Sequence, residues 1–149
     1  MSSYKQIIYH LIFGTKRREF TIPESHCLEL YKYIWGITKN KKCTLYRING
    51  IGDHIHILTD LHPSQSLADF IKDIKIASSN WMKENPDFPN WDGWALGYGA
   101  FTYSNKEKPN LVEYIKNQKE HHKKESFYDE YKRLLIENEI EFKEEYLFK

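Results

Sequence analysis

Apolar residues crowd the first strand-like run, where Ile7, Ile8, Tyr9, Leu11, Ile12 and Phe13 fill Gln6 to Thr15 and break at Gly14. Such a dense run predicts a buried central strand. The period then lengthens: Cys27, Leu28, Tyr31, Ile34, Trp35 and Thr38 recur at helical spacing up to Asn40, with Thr21-Ile22-Pro23-Glu24 as a capping box ahead of them. Cys43 to Ile48 and His54 to Asp60 read as two short strands. The intervening Asn49-Gly50-Ile51-Gly52-Asp53 suits a hairpin connection, so these strands should pair antiparallel. A second helix follows from about Ser66, carrying Leu67, Phe70, Ile71, Ile74, Ala77 and Trp81 on one side. Pro86 and Pro89 mark a loop from Asn85 to Gly93, after which Trp94 to Tyr103 reads as a glycine-interrupted aromatic strand. Pro109 opens a third helix through about Lys123, and Ser126 caps a fourth that runs to about Asn138.

Strand, helix, strand, strand, helix, strand and then further helices is the α+β, ferredoxin-like split βαβ order. It predicts an antiparallel sheet with helices on one face. The first and third strands form the central pair, so residues of the third strand that point away from the core face a sheet surface left open. At 149 residues the chain fits a single domain over 1–149. The core occupies about 4–125, and a helical, acidic tail occupies about 126–149.

Composition narrows the functional classes. There is no uninterrupted apolar run near the length of a membrane span, and Met1-Ser2-Ser3-Tyr4-Lys5-Gln6 lacks the pattern of a signal peptide, so a cytoplasmic protein is expected. Cys27 and Cys43 form no CxxC pair, which argues against a disulfide framework or a thiolate metal knuckle and reads as two core residues. The net charge of +1 is unevenly spread. Ser126 to Lys149 carries seven acids against four bases, leaving a mildly basic body compatible with a phosphate-binding groove.

The chemistry concentrates at His54-Ile55-His56. Residues two apart on a strand project together, so both imidazoles aim at one point while Ile55 and Ile57 face the core. This is half a metal site, and equally an exposed histidine pair on a sheet face. On the third helix Tyr114 and Gln118 are four apart and share a face. Gln118 offers a neutral oxygen as a third ligand beside the phenol of Tyr114; with Leu111 and Ile115 the same residues also make an ordinary semi-apolar face. Asp53 either orients His54 or serves the turn. A structural zinc site would draw a fourth ligand from His121 or His122, which otherwise read as solvated helix-end histidines.

His54-Ile55-His56, Tyr114-Ile115-Lys116-Asn117-Gln118, the strand Gly97-Tyr98-Gly99-Ala100-Phe101-Thr102-Tyr103-Ser104 and the segment Leu11-Ile12-Phe13-Gly14-Thr15-Lys16-Arg17-Arg18 together resemble the HUH single-tyrosine transposase family. That family comprises transposases of small bacterial insertion sequences and their domesticated relatives associated with repeated palindromes. The resemblance spans about residues 4 to 125. It implies a transposase that cleaves and rejoins single-stranded DNA near hairpins through a 5′-phosphotyrosine intermediate. By resemblance, C-terminal helices carry Tyr114 as the catalytic nucleophile, and His54, His56 and Gln118 hold a divalent metal. Mixed nitrogen and oxygen ligands fit Mg²⁺ or Mn²⁺, and the imidazoles favour Mn²⁺. The resemblance further implies a homodimer in which the tyrosine helix can complete the partner's site, with Lys106 to Asn110 as the hinge.

Lys16, Arg17 and Arg18 form the clearest basic cluster for DNA phosphates, with Lys72 and Lys75 on the second helix as further DNA-binding residues. Each single-strand phosphate neutralised adds about 0.7 to the salt slope of log affinity. Trp94, Tyr98 and Tyr103 are aromatic residues for stacking on unpaired bases, unless burial claims them. The alternative function is a non-catalytic, domesticated DNA-hairpin-binding protein, which would keep the fold and the basic groove. An RNA-binding ferredoxin-like module is disfavoured, because the central strands lack its Gly-aromatic signature.

Overall fold

The computed structural model describes residues 3–148. Its elements are β1 (Tyr9–Gly14), α1 (Cys27–Asn40), β2 (Leu45–Ile51), β3 (His54–Thr59), α2 (Leu67–Lys83), β4 (Gly99–Thr102), α3 (Lys108–Lys116), α4 (Gln118–His121) and α5 (Phe127–Glu137). The four strands form one antiparallel sheet in the order β2-β3-β1-β4, the α+β arrangement expected from the element order, with β1 and β3 central.

Strand register sorts the side chains into two layers. Opposite Leu11 lies Ile57 and opposite Phe13 lies Ile55, and these four meet Leu30 and Ile34 of α1 and Phe70, Ile71 and Ile74 of α2 in the main core. The alternate positions pair Ile12 with His56 and Gly14 with His54 on the other face. That face, expected to be open, is covered. Phe127, Tyr131, Leu134 and Leu135 recur at helical spacing on α5 and bury Ile12 and Phe101, while Ile115 of α3 packs on Ile8 and Leu58. Complete burial of a large apolar side chain contributes about 1.5–3 kcal/mol of transfer free energy, so α5, with Phe127 fully buried and Tyr131, Leu134 and Leu135 nearly so, docks firmly.

Several local expectations change for physical reasons. The capping box does not form: the backbone N–H groups of Thr21 and Ile22 both donate to the Gly52 carbonyl, and a 3₁₀ turn at Glu24–His26 leads into α1 without a side-chain cap. On α1, Leu30 replaces Leu28 and Trp35 in the core, and the latter two are exposed. The hairpin turn is Gly52-Asp53, because Asn49 pairs with His56 and Gly50 with Ile55 inside the ladder. Gly50 is required there by space: a Cβ would lie 2.1 Å from the His54 carbonyl oxygen. The aromatic strand is shorter than expected, since the carbonyls of Ala95 and Gly97 accept from Lys75 Nζ at 2.9 and 2.7 Å. The third helix breaks at Asn117 into α3 and α4. Lys106 to Asn110 spans a 3₁₀ turn and the first turn of α3. Cys27 and Cys43 are buried and unpaired, as read from their spacing. Among the described residues no helix is long and apolar enough to cross a membrane.

Candidate active site

β3 alternation delivers His54 and His56 to the face beneath α3, α4 and α5, where both are fully buried. Each has its outer nitrogen occupied. Asp53 Oδ1 lies 2.7 Å from His54 Nδ1, and His10 Nε2, from the same face of β1, lies 2.7 Å from His56 Nδ1. The two Nε2 atoms therefore point inward, toward α4 and α5. Gln118, buried at the start of α4, presents Oε1 at 3.2 Å from His54 Nε2 and 2.8 Å from His122 Nε2. Glu130 of α5 fills the middle: its Oε1 is 3.0 Å from His56 Nε2, 3.1 Å from His122 Nε2 and 3.4 Å from His54 Nε2. Its Oε2 accepts from Gln118 Nε2 at 3.1 Å and from the Tyr114 hydroxyl. Arg133 Nη2 donates to the Tyr114 oxygen at 2.9 Å.

The ionisation pattern follows from burial and these contacts. Burial pushes His56 down to about 4 against the pull of Glu130. His54 also suffers from burial, but hydrogen bonds to Asp53 and Glu130 more than offset it and raise its pKa. Burial alone would raise Glu130, yet the facing histidines hold its carboxyl well below the usual range. Tyr114 is pushed up by burial and by Glu130, with Arg133 opposing. The phenol thus keeps its proton in this arrangement.

The donor set fits a cation. A carboxylate only accepts, so Asp53 places the His54 proton on Nδ1 and leaves a lone pair at Nε2. That lone pair faces two further acceptors, the Gln118 and Glu130 oxygens, an arrangement that requires either an imidazolium or a cation between them. The distances of 3.0 to 3.4 Å from Glu130 Oε1 to the three imidazole nitrogens also match the edges of a coordination shell, which are about 3.0–3.4 Å around an ion with ligands at about 2.1 Å. Ligand atoms of His54, His56, His122 and Glu130 all lie within 4.8 Å of one another.

Of the residues singled out from the sequence, Tyr114, His54, His56 and Gln118 come together. Asp53 joins them behind His54. His122, read as a solvated helix-end residue, instead faces the cluster with its side chain 2% exposed; His121 stays half-buried on Glu125. Glu130, His10 and Arg133 were not anticipated. The signal that could have found Glu130 is a carboxylate in the middle of the apolar stripe formed by Phe127, Tyr131 and Leu134, whereas His10 hides in an apolar run and carries no comparable signal.

The basic residues lie elsewhere. Lys16–Arg18 make an exposed turn after β1; Arg17 pairs with Asp92 at 2.7 Å, and the Arg18 guanidinium stands 4.7 Å from the Phe148 ring. Lys72 and Lys75 belong to α2, on the sheet face opposite the histidines. Lys72 is exposed, while burial lowers Lys75 to about 8 as it caps loop carbonyls. Lys16, Arg17 and Lys75 share a groove of about 830 Å³ with Ile76 and Leu96. Trp94 is buried against Phe13, Tyr103 is half-buried, and Tyr98 remains exposed.

Comparison with known proteins gives four further findings. The profile of the family described as "Transposase IS200 like" matches residues 3–118. The ISDra2 transposase TnpA of Deinococcus radiodurans is 28% identical over 118 residues, covering 76% of this chain and 84% of that protein. Among solved structures, a candidate transposase from Deinococcus radiodurans R1 aligns with a TM-score of 0.58 at 26% identity, over 79% of this chain and 95% of that one. A REP-associated tyrosine transposase bound to a REP hairpin shares the fold at 14% identity and a TM-score of 0.62, over 82% of this chain and 74% of that one. α5 lies beyond the residues matched by the family profile.

Proposed function

The chain belongs to the IS200-like transposase family, and from that premise we propose that it cleaves and rejoins single-stranded DNA near hairpins, with Tyr114 as the covalent nucleophile. One observation carries this reading: the Tyr114 hydroxyl donates to Glu130, whose other oxygen sits among the inward nitrogens of His54, His56 and His122. A nucleophile is thereby held against a set of cation ligands.

In cleavage Tyr114 Oη forms a bond to phosphorus while the bond from phosphorus to the 3′ oxygen breaks. The phenolic proton leaves along its hydrogen bond to Glu130 Oε2 and is relayed through water to the departing oxygen, which becomes a 3′-hydroxyl. The 5′-phosphotyrosine conserves the energy of the broken linkage. A 3′-hydroxyl then attacks phosphorus, the bond from phosphorus to Tyr114 Oη breaks, and the hydroxyl's proton returns by the same route to the Tyr114 oxygen. His54, His56 and Gln118, joined by His122 and Glu130, would hold Mn²⁺ or Mg²⁺, which polarises the phosphate as a Lewis acid when bound. Three imidazoles favour Mn²⁺ of the two.

Entry of the phosphate is by the cavity of about 240 Å³ that Tyr114 lines with His10, Tyr103, Asn110 and Arg133. The hairpin specificity is carried over from the REP-associated relative, whose structure holds a REP hairpin, and the groove along Lys16 and Arg17 is suited to the DNA backbone. DNA as substrate implies action in the cytoplasm. The resemblance to HUH transposases implies a homodimer in which the tyrosine helix can complete the partner's site, and within one chain Tyr114 contacts that chain's own cluster.

The test is to incubate the protein with a labelled single-stranded hairpin oligonucleotide of the flanking element sequence and Mn²⁺, and to resolve the products under denaturing conditions. A protein–DNA adduct is expected, and Tyr114→Phe should abolish it while leaving hairpin binding unchanged. No adduct from the wild-type chain on its cognate hairpin would sink the enzymatic reading and leave a binding protein.

A further inference from the structure

We propose that Arg133 is a catalytic residue of this reaction, so that α5, outside the family-matched region, is part of the active site. The inference rests on the strand-transfer reading of Tyr114. Arg133 Nη2 stands 2.9 Å from the Tyr114 oxygen, and the guanidinium carbon lies 6.0 Å from the ring centroid. Its plane is fixed by neighbours: Nε and Nη2 each donate to Glu125 at 3.0 Å, and Nη1 donates to Glu137 at 3.2 Å. Glu130 and Arg133 are one helical turn apart on α5, so a single helix brings an acceptor and a donor to the same phenolic oxygen.

A residue serving only to anchor α5 would be satisfied by Glu125 and Glu137. The third contact, to Tyr114 Oη, places a permanent positive charge on the atom that gains and then loses phosphorus. Arg133 also lines the cavity beside Tyr114 that the scissile phosphate would enter, so its charge stands next to the non-bridging oxygens. Guanidinium N–H groups match those oxygens in geometry and carry a charge that proton transfer does not remove. The same group thus steadies the phosphate during attack and the phenolic oxygen during departure, without taking part in proton transfer.

Arg133→Gln and Arg133→Lys test this by single-turnover adduct formation on the hairpin oligonucleotide with Mn²⁺, alongside Mn²⁺ affinity by calorimetry and the melting temperature. Arg133→Gln should slow adduct formation by about 100-fold or more, the scale of losing one preorganised charge donor. Arg133→Lys should recover roughly tenfold of that, and both should keep Mn²⁺ and hairpin affinity within about threefold. An Arg133→Gln rate within threefold of wild type overturns the role, as does a rate loss that tracks an equal loss of Mn²⁺ affinity and melting temperature. If the Gln variant does not fold, a folded Arg133→Lys at the wild-type rate overturns it. A wild-type chain without adduct sinks the strand-transfer reading together with this role; a wild-type adduct with an unimpaired Gln variant sinks this role alone.

Discussion

Asp53→Asn separates a ligand set organised by its outer contacts from one that is merely nearby. In the wild-type chain the Asp53 carboxylate, 6% exposed, lies 2.7 Å from His54 Nδ1 and fixes the proton there, leaving the Nε2 lone pair toward Gln118 and Glu130. An amide in the same place can turn its NH₂ group to Nδ1, which moves the imidazole proton to Nε2 and fills the ligand position with an N–H. Charge-assisted hydrogen bonds contribute about 1.5–3 kcal/mol against about 0.5–1.5 for neutral ones, a difference on the order of 1–2 kcal/mol. Substitution of an outer partner of a metal-bound histidine lowers metal affinity about 10–100-fold, or about 1.4–2.7 kcal/mol, so the two routes agree. Calorimetric titration of Mn²⁺ into metal-free protein at neutral pH should show that loss. The metal-free melting temperature should fall only a few degrees, at about 2–4 °C per kcal/mol for a domain of this size. Mn²⁺ affinity within twofold of wild type would refute the tautomer argument.

Two further outcomes follow from the same packing. Burial keeps His56 neutral in the fold down to about 4, from an ordinary 6.5, so the unfolded chain binds more protons between those values and the metal-free protein must lose stability as pH falls through that window. Burial shifts His10 in the same direction. Urea midpoints in a chelating buffer should decline from pH 7 to 4.5, with a shallower decline in His56→Gln; a midpoint that holds steady contradicts the assignment. Phe127 stacks on His54 at 4.0 Å between ring centroids, with an interplanar angle of 2°. Phe127→Ala should cost about 3–5 kcal/mol, or about 6–20 °C in melting temperature, and a shift under about 3 °C would show that α5 is not held as described.

The sheet and the first half of the site were legible because both follow from period-two alternation: His54 and His56 share a face of β3 whatever covers them. Gln118 and Tyr114 were legible from helical spacing. What covers the histidine face was not, since Glu130 counts among the tail's acids until Phe127, Tyr131 and Leu134 are seen to bracket it. His10 could not be found from the sequence, because its meaning depends on a register that sets it beside a residue 46 positions away. The break at Asn117 also escaped notice, as neither Pro nor Gly marks it. The expected connection Asn49 to Asp53 shrinks to Gly52-Asp53, because the ladder runs on through Asn49, Gly50 and Ile51.

α5 closes the second core and delivers Glu130 and Arg133 in one docking event. Synthesis runs toward that helix, so a chain in which α5 has not yet docked has its histidines uncovered and Tyr114 without its two partners. Order of assembly is thus built into the chain: the sheet can form first, and the contacts around the proposed nucleophile are completed only when α5 docks.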